Sequence, residues 1–535
     1  MGRKFKLNRT VKVFIYFIFK VILTLSFLKP VAAQEEKTTT TLPYHYTITQ
    51  SGEEVKKVEA EISVEVNKPY ITPDSDNNGM ISPYLYGSNW ASWFKFSPSI
   101  EEVAKPLALR VIRLGGSQMS RSNWRTSKLT FPMRRDVQPQ PTSVDNFIQA
   151  CHDLGAEPLI QINAMGWAPN DKNNNIFEKC LTEKDAADLV IYLNKTKGYN
   201  VKYFEIDNEP EIWYEIHGDV FEEGVSLKEY TEIFKRYAYA MKKAQAEINS
   251  ADNIKIFGPV VSKSEYFSDV PYFLNECRKF EKDKIKNPEA YRILDVLSFH
   301  YYSLYRTDWK KLRSLIPEGT PAMLESVQTW WDPSYVNRYD RNIPLDETAG
   351  LIPQFHKYIK KYYPGIELAI TEISVDSSDG VKFEPVMEPV YMADLWGIMA
   401  KYGIDYAMPQ WVKHNDKQFG LTGANAVIRP TYYPLMLYSQ HFKGKVLTAD
   451  SNKSDLLNIY ACDDDNGNIV LMVVNKGNKD YVTAINLIGY EGTAVKNKFY
   501  ISCKKYSLTC IKIPQDKKSS AADVWVYGEE QIVGK

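Results

Sequence analysis

Eight short apolar runs recur between Ile81 and Trp411, and each is followed by a segment whose apolar residues return with helical period. Strand then helix, repeated, is the order of a parallel sheet with crossover helices. Eight repeats over roughly 360 residues suit a (β/α)8 TIM barrel with insertions. The runs are ISPYLYGSN from Ile81, LALRVIRLGG from Leu107, AEPLIQIN from Ala156, VKYFEIDNEP from Val201, IKIFGPV from Ile254, LDVLSFHYY from Leu294, IELAITEIS from Ile366 and GIDYAMPQW from Gly403. The segments between them carry helix signals. Ser226 and Glu229 have capping-box spacing, and Tyr230, Ile233, Phe234, Tyr237, Met241, Ala244 and Ile248 then keep one face apolar. Val144 to Leu154 repeats the pattern and stops at Gly155, a residue suited to the left-handed turn after a helix.

After about Lys443 the helical period is lost. Runs such as NIYACDD, NIVLMVVNKG, VTAINLIG, KFYISCKKY and LTCIKI follow one another with turn residues between, which reads as an appended all-β sandwich. The strand-like VEAEISVEV from Val58 lies too far from the first barrel strand to lead into it, and is assigned to that sandwich. The fold class is therefore α/β: a barrel over 76–442, a sandwich over 443–535, and N-terminal strands over 46–75 that join the sandwich.

The first 33 residues read as an address. Arg3, Lys4, Lys6, Arg9 and Lys12 precede an apolar run from Val13 to Leu28, and Val31-Ala32-Ala33 supplies small residues for cleavage before Gln34. Lys20 interrupts the run and leaves it shorter than the roughly 20 apolar residues of a span. A cleavable signal peptide over 1–33, a linker over 34–45 and a secreted or periplasmic protein without a membrane anchor are expected. The whole chain has 66 basic and 66 acidic residues, but the leader holds seven basic residues and no acid, so the remainder carries 59 minus 66, or −7. A mildly acidic body excludes nucleic acid as the expected partner, since phosphate backbones select clustered positive charge.

Six cysteines in an exported chain permit disulfides; Cys503 and Cys510 are a candidate hairpin pair, whereas Cys151 falls on the apolar side of its helix. No zinc spacing occurs. Asp74 to Gly79 starts like a calcium loop, but its twelfth place is Leu85 where a bidentate Glu is needed. Asp463-Asp464-Asp465-Asn466-Gly467 reads as a hairpin connection, with weak structural calcium binding as the second reading. No cofactor is required, and no Walker, Rossmann or G-x-S-x-G motif points to another chemistry.

Barrels of this kind place reacting groups where strands end at the C-terminal face. Strand four ends in Asp207-Asn208-Glu209-Pro210 and strand seven in Thr371-Glu372, on opposite sides of the ring. Paired carboxylates across a mouth cleave glycosidic bonds: one protonates the departing oxygen, and the other attacks the anomeric carbon or activates water. Either Glu alone is equally well a strand-end salt bridge; the pair favours catalysis. The residues alone leave acid and nucleophile interchangeable.

With ISPYLYGSNW, RLGGSQMSRSNWRT, FEIDNEPEIW, DVLSFHYY, LAITEIS and GLTGANAVIRPTYYPLMLYSQHF, spanning roughly Ile81 to Phe442, the chain resembles glycoside hydrolase family 44, within a clan of retaining (β/α)8 glycosidases. The resemblance implies endo-acting hydrolysis of a β-1,4-linked plant polysaccharide, a β-glucan or xyloglucan, with the sandwich built from both chain ends. It implies Glu209 as acid/base, Glu372 as nucleophile, Asn208 on the sugar 2-hydroxyl, Arg113 holding the nucleophile ionised and Tyr302 donating to Glu372. His300, at the same strand end as Tyr302, joins the substrate-binding set. One departure stands out: Ile373 and Ser374 follow Glu372 where the family often has an aromatic and an Asn.

Pyranose rings present C–H faces that stack on broad aromatic surfaces. Among the eleven Trp, those after strands at the reactive face are the candidate platforms: Trp90, Trp167, Trp213, Trp330, Trp331 and Trp411. The resemblance places Trp411 beneath the sugar next to the cut bond, whereas Trp396 reads as helix core. Two other readings stay open: a sister-family enzyme acting on xylan, mannan or arabinoside linkages, and a non-catalytic glycan-binding protein on the same barrel.

Overall fold

Period-two alternation along the parallel strands decides what fills the barrel. In the computed structural model, which describes residues 40–49, 57–173, 175–249, 253–304, 320–335, 350–375, 385–414 and 419–533, the eight strands are Gly87–Trp90, Val111–Leu114, Glu157–Ile162, Tyr203–Ile206, Lys255–Val261, Val296–Tyr302, Glu367–Ser374 and a broken eighth. Each pairs in parallel with the next in chain order. Strand eight comprises Tyr406–Ala407 and Trp411–Lys413, and it closes the ring through Tyr86 beside Ala407 and Asn89 beside Trp411. Gly87 sits at this closure, where a Cβ would meet the Ala407 carbonyl at 2.8 Å.

Ile112, Ile160, Phe204, Ile256, Leu297, Leu368 and Ile370 belong to the core shared with the helices. Their neighbours in sequence form a separate interior cluster of Val111, Leu159, Tyr203, Phe257, Val296, Ala369, Tyr406 and Met408. Two residues further along the strands the same inward phase brings Arg113, Gln161, Glu205 and Thr371, all buried. The barrel is thus apolar at its base and polar toward its mouth. The long helix Leu227–Ile248 begins with the Ser226–Glu229 capping box, and Val144–Leu154 ends on Gly155 at φ 70°.

The second sheet has nine strands and is built from both ends of the chain. Tyr44–Thr49 pairs antiparallel with Ala521–Tyr527, and Ala60–Pro69 inserts between Lys445–Ser451 and Tyr481–Ile488. The strand starting at Tyr44 corrects the linker expected to run to residue 45; the YHYTIT alternation extends the strand by two residues. Residues 39–535 form one compact unit. The expected signal peptide and most of the linker lie outside the described residues.

Cys503 and Cys510 are not paired. Both are buried free thiols, Cys503 in the sandwich interior and Cys510 in the core facing the barrel, so they lie on opposite faces of the sheet. Asp464 closes the acidic hairpin on itself, accepting from the amides of Asn466 (2.9 Å) and Asn468 (2.8 Å) and from the Asn468 side chain. Among the described residues no helix is long and apolar enough to cross a membrane.

Candidate active site

The polar layer at the mouth is organised by one buried cation. Arg113, fully buried at the end of strand two, donates from Nε to Glu205, from Nη1 to Glu372 Oε1 (2.8 Å) and Asn89 Oδ1 (3.2 Å), and from Nη2 to Asn208 Oδ1 (2.8 Å). A guanidinium presents its donors in a fixed fork, so these acceptors are held in one plane around it. Burial lowers the Arg113 pKa, but Glu205 and Glu372 outweigh that and leave it above its ordinary value. Asn89 in turn donates to the carbonyls of Thr371 and Met408, tying strand one to strands seven and eight.

Glu372, on strand seven, is 5% exposed. Its other oxygen accepts from the Tyr302 hydroxyl at 2.7 Å, and His300 Nδ1 lies 3.8 Å away. Burial alone raises a carboxylate pKa; here His300, Arg113 and the Tyr302 hydroxyl overcome burial and hold Glu372 below the ordinary carboxylate value. Glu209 sits opposite and is more open, with its side chain 13% exposed, and His300 Nδ1 bonds its Oε1 at 2.8 Å. The other ring nitrogen of His300 pairs with Thr371 Oγ1 at 3.0 Å. Burial pulls the His300 pKa down, but Glu372 and Glu209 more than reverse it. Oxygens of Glu209 and Glu372 and a nitrogen of His300 all lie within 4.8 Å of one another.

The backbone that presents Glu209 is contorted. Asp207 and Glu209 have φ of 60° and 45°, and Val260, whose carbonyl accepts the Glu209 amide, has φ 62°. Non-glycine residues in the left-handed region are disfavoured and cluster where the surroundings hold them. The hold is visible: Asp207, fully buried, accepts from Ser120 Oγ and from the amides of Ala164, Met165 and Asn208. Burial lifts its pKa to about 6 against those bonds. Glu211, on the next turn, accepts at Oε1 from the Ser262 amide and hydroxyl and the Lys263 amide, while its Oε2 is buried with no hydrogen-bond partner among the described residues. Burial first, then Glu209, pushes Glu211 to about 7.

The structure brings Glu209, Glu372, Asn208, Arg113, His300 and Tyr302 into one constellation. It corrects the aromatic set. Trp90 is 1% exposed, donates to Thr142 and packs on Phe96; Trp213 donates to the Asn208 carbonyl beneath the strand-four turn; Trp330 is 0% exposed and donates to Tyr391. None of these three offers a face to a sugar, because each is buried in the core shared with the helices. Trp331 stacks on Tyr402, which comes just before strand eight, at the end of the barrel away from the carboxylates. Trp411, 7% exposed, opens the second segment of strand eight beside Phe419 and His414, with an indole N–H that has no acceptor among the described residues. Trp167 is half-buried after strand three, against Phe177.

Glu205, Asn89, Thr371, Asp207 and Gln161 were not singled out from the sequence. Their signal was strand phase: each lies on the inward side, two residues beyond a base-layer residue or at the strand end. The fold and this site define a class: (β/α)8-barrel proteins with a carboxylate pair across the mouth. Residues 181–304 match the sequence model of glycoside hydrolase family 44. Two curated relatives match: endoglucanase A of Paenibacillus lautus, 24% identical over 76% of this chain and 63% of its own length, and β-mannanase/endoglucanase A of Caldicellulosiruptor saccharolyticus, 22% identical over 61% and 28%. The chain thus spans less than two thirds of either relative. A solved xyloglucanase of Paenibacillus polymyxa from the same family shares the fold, with TM-score 0.64 at 18% identity over 88% of this chain and all of that one.

Proposed function

We propose that the protein is a retaining, endo-acting glycoside hydrolase that cuts β-1,4-linked glucan chains, xyloglucan among them, by double displacement. The observation that carries this reading is the carboxylate pair with oxygens within 4.8 Å of each other. Retaining enzymes hold the pair about 5 to 5.5 Å apart, whereas inverting ones leave roughly 6.5 to 9.5 Å for a water.

The unequal surroundings support the division of roles. Glu372 is ionised and held by Arg113 and Tyr302, as a nucleophile must be. Its attack on the anomeric carbon forms a glycosyl ester while Glu209 gives its proton to the departing oxygen. Glu209, the more open of the two, then takes a proton from the water that releases the sugar. Asn208 has its Oδ1 turned to Arg113, which directs its NH2 away from the guanidinium and suits a bond to the sugar 2-hydroxyl. Trp411 and Trp167 are the remaining platforms from the expected set. The names of the relatives, endoglucanase and xyloglucanase, support the glucan backbone.

Incubation with xyloglucan, cellulose derivatives, glucomannan and xylan, with new reducing ends measured, tests the activity. Glu209→Ala and Glu372→Ala should each lose activity by at least about 10²-fold, and azide should rescue them with opposite anomeric products. Near-normal rates from Glu372→Ala would refute the nucleophile assignment. The basic and apolar leader supports export; amino-terminal sequencing of protein recovered outside the cytoplasm should begin at Gln34, and retention of Met1 would refute cleavage.

A further inference from the structure

The barrel and the sandwich meet along the helix Met387–Lys401, which is buried from Pro389 to Ala400. The contact is tight at Gly397, where a Cβ would collide with the ring of Tyr460. One turn further on the two layers part. They enclose a cavity of about 250 Å³ with Trp331, Asp332, Lys401 and Tyr402 on the barrel side and Asp450, Asn458 and Tyr460 on the sandwich side. Tyr402 immediately precedes strand eight, whereas Glu372 lies at the end of strand seven, so this cavity lies at the other end of the barrel from the carboxylate pair.

Its walls are complementary in kind. On one side Trp331, half-buried, stacks on Tyr402 with ring centroids 5.9 Å apart and planes 22° apart, which fixes the indole as a rigid platform. On the other side the polar groups are already positioned. Asn458 Nδ2 (2.7 Å) and the Tyr460 hydroxyl (2.6 Å) are held by donating across the seam to fully buried Asp394 of the barrel helix, which also pairs with Lys476 at 3.1 Å. Asp332 and Asp450 add carboxylates to the lining. A flat apolar face opposed by fixed amide and carboxylate acceptors matches a sugar ring, which has C–H faces and a girdle of hydroxyl donors.

Charge narrows the ligand. Lys476 is neutralised by Asp394, and Asp332, Asp450 and Asp455 outnumber Lys401, so an anion is disfavoured. The acids do not converge either: among the described residues the only metal-competent cluster is Glu209, His300 and Glu372. We propose that this seam is a second, non-catalytic saccharide site that grips a neutral β-linked glucan chain while the carboxylate pair works at the far end of the barrel. A second grip on one polymer raises the effective concentration of the chain at the cleft without any change in the chemistry. The inference takes from the proposed function only that the protein acts on glucan.

The test uses the full chain with Glu372→Gln, which binds without cutting, titrated calorimetrically with cellohexaose. Two classes of site are expected. Adding Trp331→Ala should abolish one class, and adding Asp450→Ala should weaken the same class about tenfold. In the otherwise wild-type chain, both substitutions should leave turnover of a short chromogenic cello-oligosaccharide unchanged but weaken retardation in gels containing xyloglucan. Asp450 is exposed, so its variant reads binding even if Trp331→Ala loosens the fold. A single class of site in the Glu372→Gln protein, or two classes that persist in both added variants, overturns the proposal. Reducing-end release by the wild type is scored separately, so loss of the seam site and loss of the hydrolase reading give different results.

Discussion

Arg113→Met separates the two tasks of the buried cation. Arg113 is 0% exposed and bridges Glu205 and Glu372, which are themselves 0% and 5% exposed. Removing one partner of a buried ion pair costs about 3 to 5 kcal/mol, because the remaining charge is left desolvated. The barrel spans roughly 360 residues, and unfolding entropy near 2.1 cal/mol/K per residue gives about 0.75 kcal/mol/K, so this loss lowers the melting temperature by about 4 to 7 °C. The second task is electrostatic. Glu372 is held below the ordinary carboxylate value by His300 and Arg113 against its burial. A carboxylate with a depressed folded-state pKa loses its ionised form only as pH falls through that low value; without Arg113 the value rises. The acid limb of kcat/KM should therefore move to higher pH. Calorimetry and a pH–rate profile on soluble xyloglucan measure the two effects. Arg113→Met combined with Glu205→Gln removes both ends of the inner pair and should recover part of the stability, while the acid limb stays displaced. An unchanged melting temperature together with an unmoved acid limb would refute the account of Arg113 as the organising charge.

Tyr302→Phe deletes the 2.7 Å bond to Glu372; a hydrogen bond to a charged group is worth about 1.5 to 3 kcal/mol, so kcat should fall by about tenfold or more with a smaller upward shift of the same limb. A KM effect with kcat unchanged would place Tyr302 in binding alone. Glu211→Gln tests the buried acid. Its folded pKa, about 7, lies above the unfolded value, so its ionisation destabilises the fold progressively as pH rises from about 4.5 to 7. The variant should gain melting temperature relative to wild type at pH 8 compared with pH 5. Equal differences at the two pH values would show that Glu211 carries no such penalty.

The eightfold run of strand and helix, the all-β tail and the two strand-end glutamates were legible from the sequence because each rests on local pattern. Periodicity of 2 or 3.6 reports which face is buried, and a strand end follows from where the apolar run stops. The same logic failed for tryptophans. Trp90, Trp213 and Trp330 stand after strands at the correct end, yet packing against Phe96, Phe221 and Tyr301 buries them. Sequence position along a strand does not say which way a loop turns afterwards. Cys503 and Cys510 failed for a related reason: their strands follow one another in sequence but do not pair, since Lys498–Cys503 is an edge strand beside Tyr481–Ile488 whereas Ser507–Pro514 lies between Asn468–Asn475 and Ala521–Tyr527, and the two thiols sit in different cores.

What the chain determined by itself is the barrel, its mouth, and the presence there of Glu209 and Glu372. Which glutamate is the more exposed, which is held ionised, and that one guanidinium joins Glu205, Glu372, Asn208 and Asn89 were decided only by tertiary structure. The reason is that these are properties of groups 24 to 259 residues apart. Their mutual field exists only once the ring of strands closes and water is excluded from the layer they share.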